Sequence, residues 1–511
     1  MPAQIPITGV PLDWRVPGAY AEILFNQGQA AAFAPGREIV FVMPMSSAGA
    51  WTANTKYRVA DESVARAGAG AGSPLHRAIR KYLSINPFKA PYAVPYAATS
   101  GGSPVTATAT ATFSGTVTGA GTLTLIVAGE AIPVGYASGA TFDAIAALAV
   151  LAVNAKTHLP VTATYATPVL TLTAKIAGAS QGTASIFAIN VHREIAPLGT
   201  GLVVTLSGQV GSGAAGADGT TTEPANLATA LATLSATRLY YMGTSLTDAT
   251  SLGHLQTHIT SKSLPQSGLR SVGLAANRQA ESAAATIAVA KNYERLAITW
   301  MENSEHDPAE LVGAMAAIYQ MQEEVHTATN FDFFPLNNII LPAYADADIP
   351  TPTELNDAVN DGLSPIMTNG VSTYLVYAAT TRSKDATGAL DDPRSLERHR
   401  VSVADEWTDT EMVNVGLNYR GKRLADTPLL PSGKVDWNRV GKGPLNPEAF
   451  KPHIVRSLED FAAAEKLQNI EASKASLRVI KTGSRLEVGL DLNVIDLAHQ
   501  FTYRIAEVSA G

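Results

Sequence analysis

The chain has 511 residues, enough for roughly three or four domains at about 100 to 200 residues each. Its 37 Lys and Arg against 44 Asp and Glu leave a formal charge of −7 and no basic stripe, which argues against nucleic acid as a main partner. It has no cysteine, which excludes disulfides, thiolate metal sites and a cysteine nucleophile, and its longest apolar run, Ala144 to Val153, is about half of the roughly 20 residues a membrane-spanning helix needs.

Prolines at 2, 6, 11 and 17 fix φ and remove donors, so the first segment reads as an extended arm. It lacks the basic start and continuous apolar run of a signal peptide. The run from Ala19 to Phe25 can form one short strand, which needs a surface to lie on. Ile39 to Met43 is a continuous apolar run, as expected of a strand covered on both faces. The glycine-rich 68–72 then reads as a flexible joint. No strand feeds into it and no Lys follows in the P-loop position, which argues against a phosphate cradle. Ser73 and Pro74 open a helix carrying Leu75, Ile79, Tyr82 and Leu83.

Between about Thr99 and Gly219, Ala, Thr, Gly and Val dominate in β-branched runs bounded by Gly and Pro. This predicts a β-rich module with one helix over Thr141 to Lys156 and a glycine-rich exit. From about Leu227 strands and helices alternate, implying a layered α/β domain with a mostly parallel sheet. Strands are expected at 239–242 and 295–300, and helices over Asn277 to Asn292 and Pro308 to Thr327. The latter helix starts at Asp307 and Pro308, with Glu310 placed to reach back and Leu311, Met315, Ile318, Gln322 and Val325 on one face. Thr351 to Glu354 repeats that start. A polar loop, Pro431 to Asn446, precedes a helix expected from Pro452 to Leu467. Leu486, Val488, Leu490, Leu492 and Val494 then alternate with polar residues or glycine, and Phe501, Tyr503 and Ile505 repeat the strand pattern.

Candidate chemistry is weak. Gly243 to Asp248 places Ser245 between a strand and a helix, as a subtilisin-type nucleophile would be, but His158 and His192 lack the glycine-flanked context of its partner. A turn or cap role for Thr244 or Ser245 fits better. His254 and His258 share a helical face without a third metal ligand, and Asp346, Asp348, Asp391 and Asp392 lie in expected loops with nothing to make them an acid/base pair. No cofactor is expected.

Several segments together resemble the contractile tail sheath proteins of Mu-like myophages. They are Val16-Pro-Gly-Ala-Tyr-Ala-Glu22, Gly70 to Arg77, Gly121 to Gly129, Leu159 to Ala163, Thr380 to Lys384, Gly388 to Asp392 and Arg485 to Val488, in the expected order over most of the chain. The resemblance implies a structural virion protein that stacks as six-membered rings around a tail tube and contracts to drive the tube through the host envelope. It implies a multidomain α/β chain: an arm over 1–36, a body begun at 37–98, a β-rich insertion at 99–220, a subtilisin-like layer without protease activity at 221–395, and an inner domain at 396–511 that combines early and late parts. Its partners would be neighbouring sheath subunits, the tail tube, baseplate and tail terminator proteins, with assembly in the host cytoplasm and neither nucleic acid binding nor membrane insertion.

The linking arms would be Val16, Ala19, Tyr20, Glu22, Ile23 and Phe25 at one end, and Leu486, Val488, Leu490, Leu492, Val494, Phe501 and Tyr503 at the other. Arg456, Glu459, Asp460 and Lys466, with Glu465, are the expected tube-facing charges, since exposed ion pairs of about 0 to 1 kcal/mol each suit an attachment that must release. A serine hydrolase using Ser245 and a non-contractile adhesin are the competing readings.

Overall fold

The structure, a computed structural model, describes residues 36–180, 189–192, 201–207, 214–264, 267–341, 348–369, 372–384, 397–419, 421–483 and 485–498. The chain opens with β1 (Ile39–Met45), β2 (Tyr57–Arg58), α1 (Glu62–Ala69), α2 (Pro74–Ile85) and β3 (Tyr92–Ala97). Next come β4 (Thr106–Gly115), β5 (Gly121–Val127), β6 (Glu130–Tyr136), α3 (Phe142–Ala155), β7 (Val161–Ala166), β8 (Val169–Ala177), β9 (Ile189–His192) and β10 (Leu202–Ser207). The alternating stretch holds α4 (Glu223–Ala232), β11 (Tyr241–Gly243), α5 (Ala249–Ser263), β12 (Val272–Asn277), α6 (Glu281–Lys291), β13 (Leu296–Trp300) and α7 (Pro308–Val325). It continues with β14 (Phe334–Pro335), α8 (Pro352–Asn360), β15 (Leu363–Thr368) and β16 (Thr373–Leu375). The last part is α9 (Arg398–Asn418), α10 (Pro447–Ala463), α11 (Ile470–Ser476), β17 (Arg478–Thr482) and β18 (Arg485–Gly489).

Nine strands form one sheet in the order β14-β16-β15-β13-β12-β11-β1-β3-β2. Its central run from β3 to β15 is parallel, while β2, β16 and β14 pair antiparallel towards the edges. The continuous apolar run of β1 is explained by its two neighbours. Ile39, Phe41 and Met43 enter one core with α1, α2 and α7, while Val40 and Val42 enter the other with α4, α5, α6 and α8. The mixed α/β architecture expected from the alternation is therefore present.

Three caps match the sequence pattern, beginning with Ser73, whose Oγ accepts from the His76 N–H at 3.2 Å ahead of α2. The Asp307 side chain accepts from the Glu310 N–H at 2.8 Å, and Thr351 with Glu354 forms a complete capping box. Glu310 does not reach back to the cap, however; its carboxylate lies 3.1 Å from the Arg77 guanidinium and 2.8 Å from His306. Nor is α7 amphipathic. It is buried on nearly every side from Pro308 to Gln320, whereas Val325 is 84% exposed. Gly313 allows this burial, because a Cβ there would lie 2.3 Å from the Ala78 carbonyl oxygen of α2. Helix α6 begins at Glu281 rather than Asn277, which ends β12.

The stretch 68–72 is a packed corner rather than a loose joint. A Cβ at Gly68 would overlap the Trp51 indole, and Gly72, at φ +84°, lies against the Leu159 carbonyl. The β-rich part comprises a sheet of order β10-β4-β8-β7 and another of order β6-β5-β9, closed over a shared core with α3. In β4 the Ala/Thr alternation resolves as Ala107, Ala109, Ala111 and Phe113 inward and the threonines outward. Hydrogen bonds from Thr99 Oγ1 to the Thr221 carbonyl (2.7 Å) and from the Gly219 N–H to Thr99 Oγ1 (2.6 Å) tie its two chain ends together between β3 and α4.

Candidate functional site

The C-terminal part builds a small core from Val403, Phe450, Ile454, Leu458, Leu467, Val479 and Val494, with Ala328 from beyond α7. Helix α10 starts five residues before the expected Pro452. Asn446 caps it by accepting from the Ala449 N–H at 3.0 Å, and Pro447 takes the first helical position. Pro452 is tolerated in the second turn, where it forgoes one backbone bond.

Strands β17 and β18 pair from Arg478↔Gly489 to Thr482↔Arg485 and, among the described residues, with no other strand. Val479, Leu486 and Val488 share the face turned to the core, though Val488 remains 41% exposed. Ile480 points the other way and is 55% exposed. The nine-residue alternation expected from Leu486 to Val494 is strand only as far as Gly489. Beyond it, Leu490 and Leu492 pack partly buried on the chain's own core. Val494 is buried and bridges Leu467, fixed by Gln468 N–H to Asn493 carbonyl (3.0 Å) and Ile495 N–H to Lys466 carbonyl (3.1 Å). The other expected linking residues, Val16, Ala19, Tyr20, Glu22, Ile23, Phe25, Phe501 and Tyr503, lie outside the described residues.

The four charges expected to face a tube are not equivalent. Arg456 and Asp460 are 83% and 71% exposed and only 3.9 Å apart, a loose pair on α10. Glu459 meets Lys474 at 2.9 Å. Lys466 is half-buried, 2.7 Å from Glu406 and above the Phe461 ring.

Sequence reasoning missed how α9 attaches to the α/β body. Glu323 of α7 is fully buried and accepts from Arg37 Nη1 (2.6 Å), Arg398 Nε (2.9 Å), Ser402 Oγ (2.9 Å) and the Tyr241 hydroxyl. Burial pushes its carboxyl up, but Arg398 and Arg37 outweigh that and hold it below the ordinary carboxylate range. Further along the same helix, Asp405 takes both Arg295 guanidinium nitrogens at 2.7 Å, and Asp409 takes Arg238 and Arg270. Arg398 lies 4.0 Å from the Tyr319 ring centroid. Residues 398, 402, 405 and 409 recur at helical spacing, a signal legible once the helix is known.

Ser245 is 3% exposed and its Oγ has no hydrogen-bond partner among the described residues, while Asp248 is the cap of α5, accepting from Thr250 and Ser251. The cap is thus Asp248, while Thr244 takes the expected turn role, its Oγ1 accepting from the Leu246 N–H at 3.3 Å. His158 contacts Glu130, and burial, reinforced by Lys262, lowers His258 to about 4. The side chain of His192 and residues 346, 391 and 392 lie outside the description. Among the described residues no group of three potential ligands could hold a metal ion, and no helix is long and apolar enough to cross a membrane.

No protein-family model matches the chain, and neither does any curated protein. Among solved structures it is similar to a sheath tail protein from Desulfitobacterium hafniense, with 11% identity and a TM-score of 0.46 over 94% of this chain and 100% of that one. It is also similar to a sheath tail protein from Listeria innocua, with 11% identity and a TM-score of 0.46 over 90% and 93%. These structural neighbours are sheath tail proteins.

Proposed function

We propose that the chain is a tail sheath subunit, a structural component of a virion that polymerises with copies of itself as stacked rings around a tail tube. Contraction of that polymer would drive the tube through a host envelope, with baseplate and terminator proteins at its ends. The observation that carries this reading is the β17–β18 hairpin, whose two outer edges are unpaired among the described residues and lie beside the exposed Ile480 and Val488. The same chain carries a proline-flanked strand former at Ala19 to Phe25, suited to occupy such an edge on a neighbour. Each backbone hydrogen bond gained there would contribute about 0.5 to 1.5 kcal/mol net, so a short strand holds firmly yet reversibly. The order of sheath-like motifs along the sequence supports the same reading.

On this reading the doubly covered sheet is the subtilisin-like layer, and Gly243 to Asp248 is a turn retained without catalysis. Ser245 is buried and without a hydrogen-bond partner among the described residues, which supports that reading over the hydrolase. Deletion of residues 1–25 tests the proposal by electron microscopy and sedimentation. The full chain is expected to form rings or tubes, and the deletion variant to keep its circular dichroism and thermal unfolding but lose ordered assembly. Unchanged assembly of the deletion variant would sink the arm-to-hairpin linkage.

A further inference from the structure

Residues 421–446, between α9 and α10, form no helix or strand, yet they are a built surface. Leu424 and Leu445 close the base, with the Ala425 N–H donating to the Leu445 carbonyl (2.9 Å) and the Leu445 N–H to the Arg423 carbonyl (2.8 Å). The tip turns at Pro431 to Gly433 and is held by the Leu429 and Val435 bridge, Leu430 N–H to Lys434 carbonyl (2.8 Å) and Asp436 N–H to Pro428 carbonyl (2.9 Å). A backbone held this way presents its side chains at little ordering cost.

That surface displays Trp437 at 67%, Leu429 at 56% and Leu430 at 42% exposure. Five Lys and Arg against two Asp give the segment +3 on a chain of −7, so the remainder carries −10. Asp426 is already paired with Lys481 at 2.9 Å, and Lys422 lies over the Tyr419 ring. Arg423, Lys434, Arg439 and Lys442 have no carboxylate partner among the described residues. An exposed tryptophan and leucines in one segment with these cations have the make-up of an interface centre with a charged rim.

The complementary charge is on the same chain. Glu281, Glu302, Glu354 and Asp357 gather where α6, α8 and the end of β13 meet. Burial first, then neighbouring carboxylates, hold Glu281 and Glu302 above their ordinary range, so this face gains from an incoming cation. Two different surfaces of opposite charge that pair make a head-to-tail contact, which propagates into rings or helical arrays instead of stopping at a dimer.

We propose that residues 421–446 dock on the acidic face of a second copy of this chain, with Trp437 at the centre and Lys434, Arg439 and Lys442 around it. The inference rests on the sheath reading and adds a second, charge-steered contact to it. It is tested with full-length Lys434→Glu/Arg439→Glu, Trp437→Ala and Glu302→Lys/Asp357→Lys, scoring assembly by sedimentation and electron microscopy, with thermal unfolding of the unassembled chain as the folding control. Each variant should lower the assembled fraction about tenfold or more at unchanged unfolding temperature, and mixing the two charge-reversed chains should restore assembly, because their faces again attract. Assembly unchanged in all three, or no rescue on mixing, would overturn the inference while leaving the sheath reading intact. Failure of the unaltered chain to form rings or tubes would instead sink the sheath reading, and this inference with it. Retained self-assembly with lost binding to a separate acidic protein or to DNA would also overturn it.

Discussion

In the α/β body the central strands are covered on both faces and the nine-stranded sheet tapers at each edge into two-residue strands, whereas the C-terminal part rests one hairpin on a small core and, among the described residues, pairs neither of its outer edges. Short antiparallel edge strands blunt a sheet against further pairing. A lone two-stranded sheet is marginal in water and gains from an added strand. Among the described residues the body sheet thus ends in short antiparallel strands, whereas each strand of the C-terminal hairpin pairs on one side only. The joint between them is largely polar: α9 docks by buried charges that must match one by one, with Val401 beside the body core.

The joint is where this contrast breaks most readily. Glu323→Ala leaves Arg37 and Arg398 buried without their anion and should cost about 3 to 5 kcal/mol in urea unfolding. A loss under 1 kcal/mol would mean that α9 is not held by this network. Next in size, Leu458→Ala removes a fully buried side chain and should cost about 2 to 5 kcal/mol. Hydrogen exchange should then speed up in α10, α11 and the hairpin before the body strands; equal acceleration throughout would show one cooperative unit.

A smaller, pH-dependent effect belongs to the body alone. His258 on α5 is held at about 4, so between the ordinary value near 6.5 and pH 4 the unfolded chain binds the proton that the folded chain refuses. Its contribution is intact above about pH 6.5 and is lost as the pH falls towards 4, by at most about 3 kcal/mol. His258→Gln should flatten that part of the stability profile, and an unchanged profile would remove His258 as the cause. Smallest of all, Ile480→Lys and Val488→Lys should alter the stability of the single chain by less than about 0.5 kcal/mol, because both side chains are exposed, while lowering the assembled fraction. Full assembly of both variants would argue that the hairpin is not a joining edge.

Much of the local structure was legible. The Asp307 and Thr351 caps, the doubly covered run at Ile39 to Met43 and the Ala/Thr alternation of β4 all follow from spacing of two to four residues. The misses have physical causes. Pro452 looks like a helix start because proline favours the first turn, yet Asn446 and Pro447 had already opened α10. Leu490 and Leu492 keep a strand's alternation but lie beyond the last paired residue, since a ladder ends where its partner turns away. Of the candidate site, the hairpin was half visible. The apolar tip of residues 421–446 was hidden, because turn residues conceal which of their neighbours stay in water.

The sequence by itself determined the helix starts at Ser73, Asp307 and Thr351, the two apolar faces of β1 and that neither thiol nor disulfide chemistry is available, since each depends on residue type or on neighbours within a turn. Only the tertiary structure decided that β1 pairs with β11 across some two hundred residues, that Glu323 gathers Arg37 and Arg398, and that Val488 and Trp437 remain exposed. Those outcomes depend on which distant surfaces bury one another, a balance set by the whole chain and invisible in any short window.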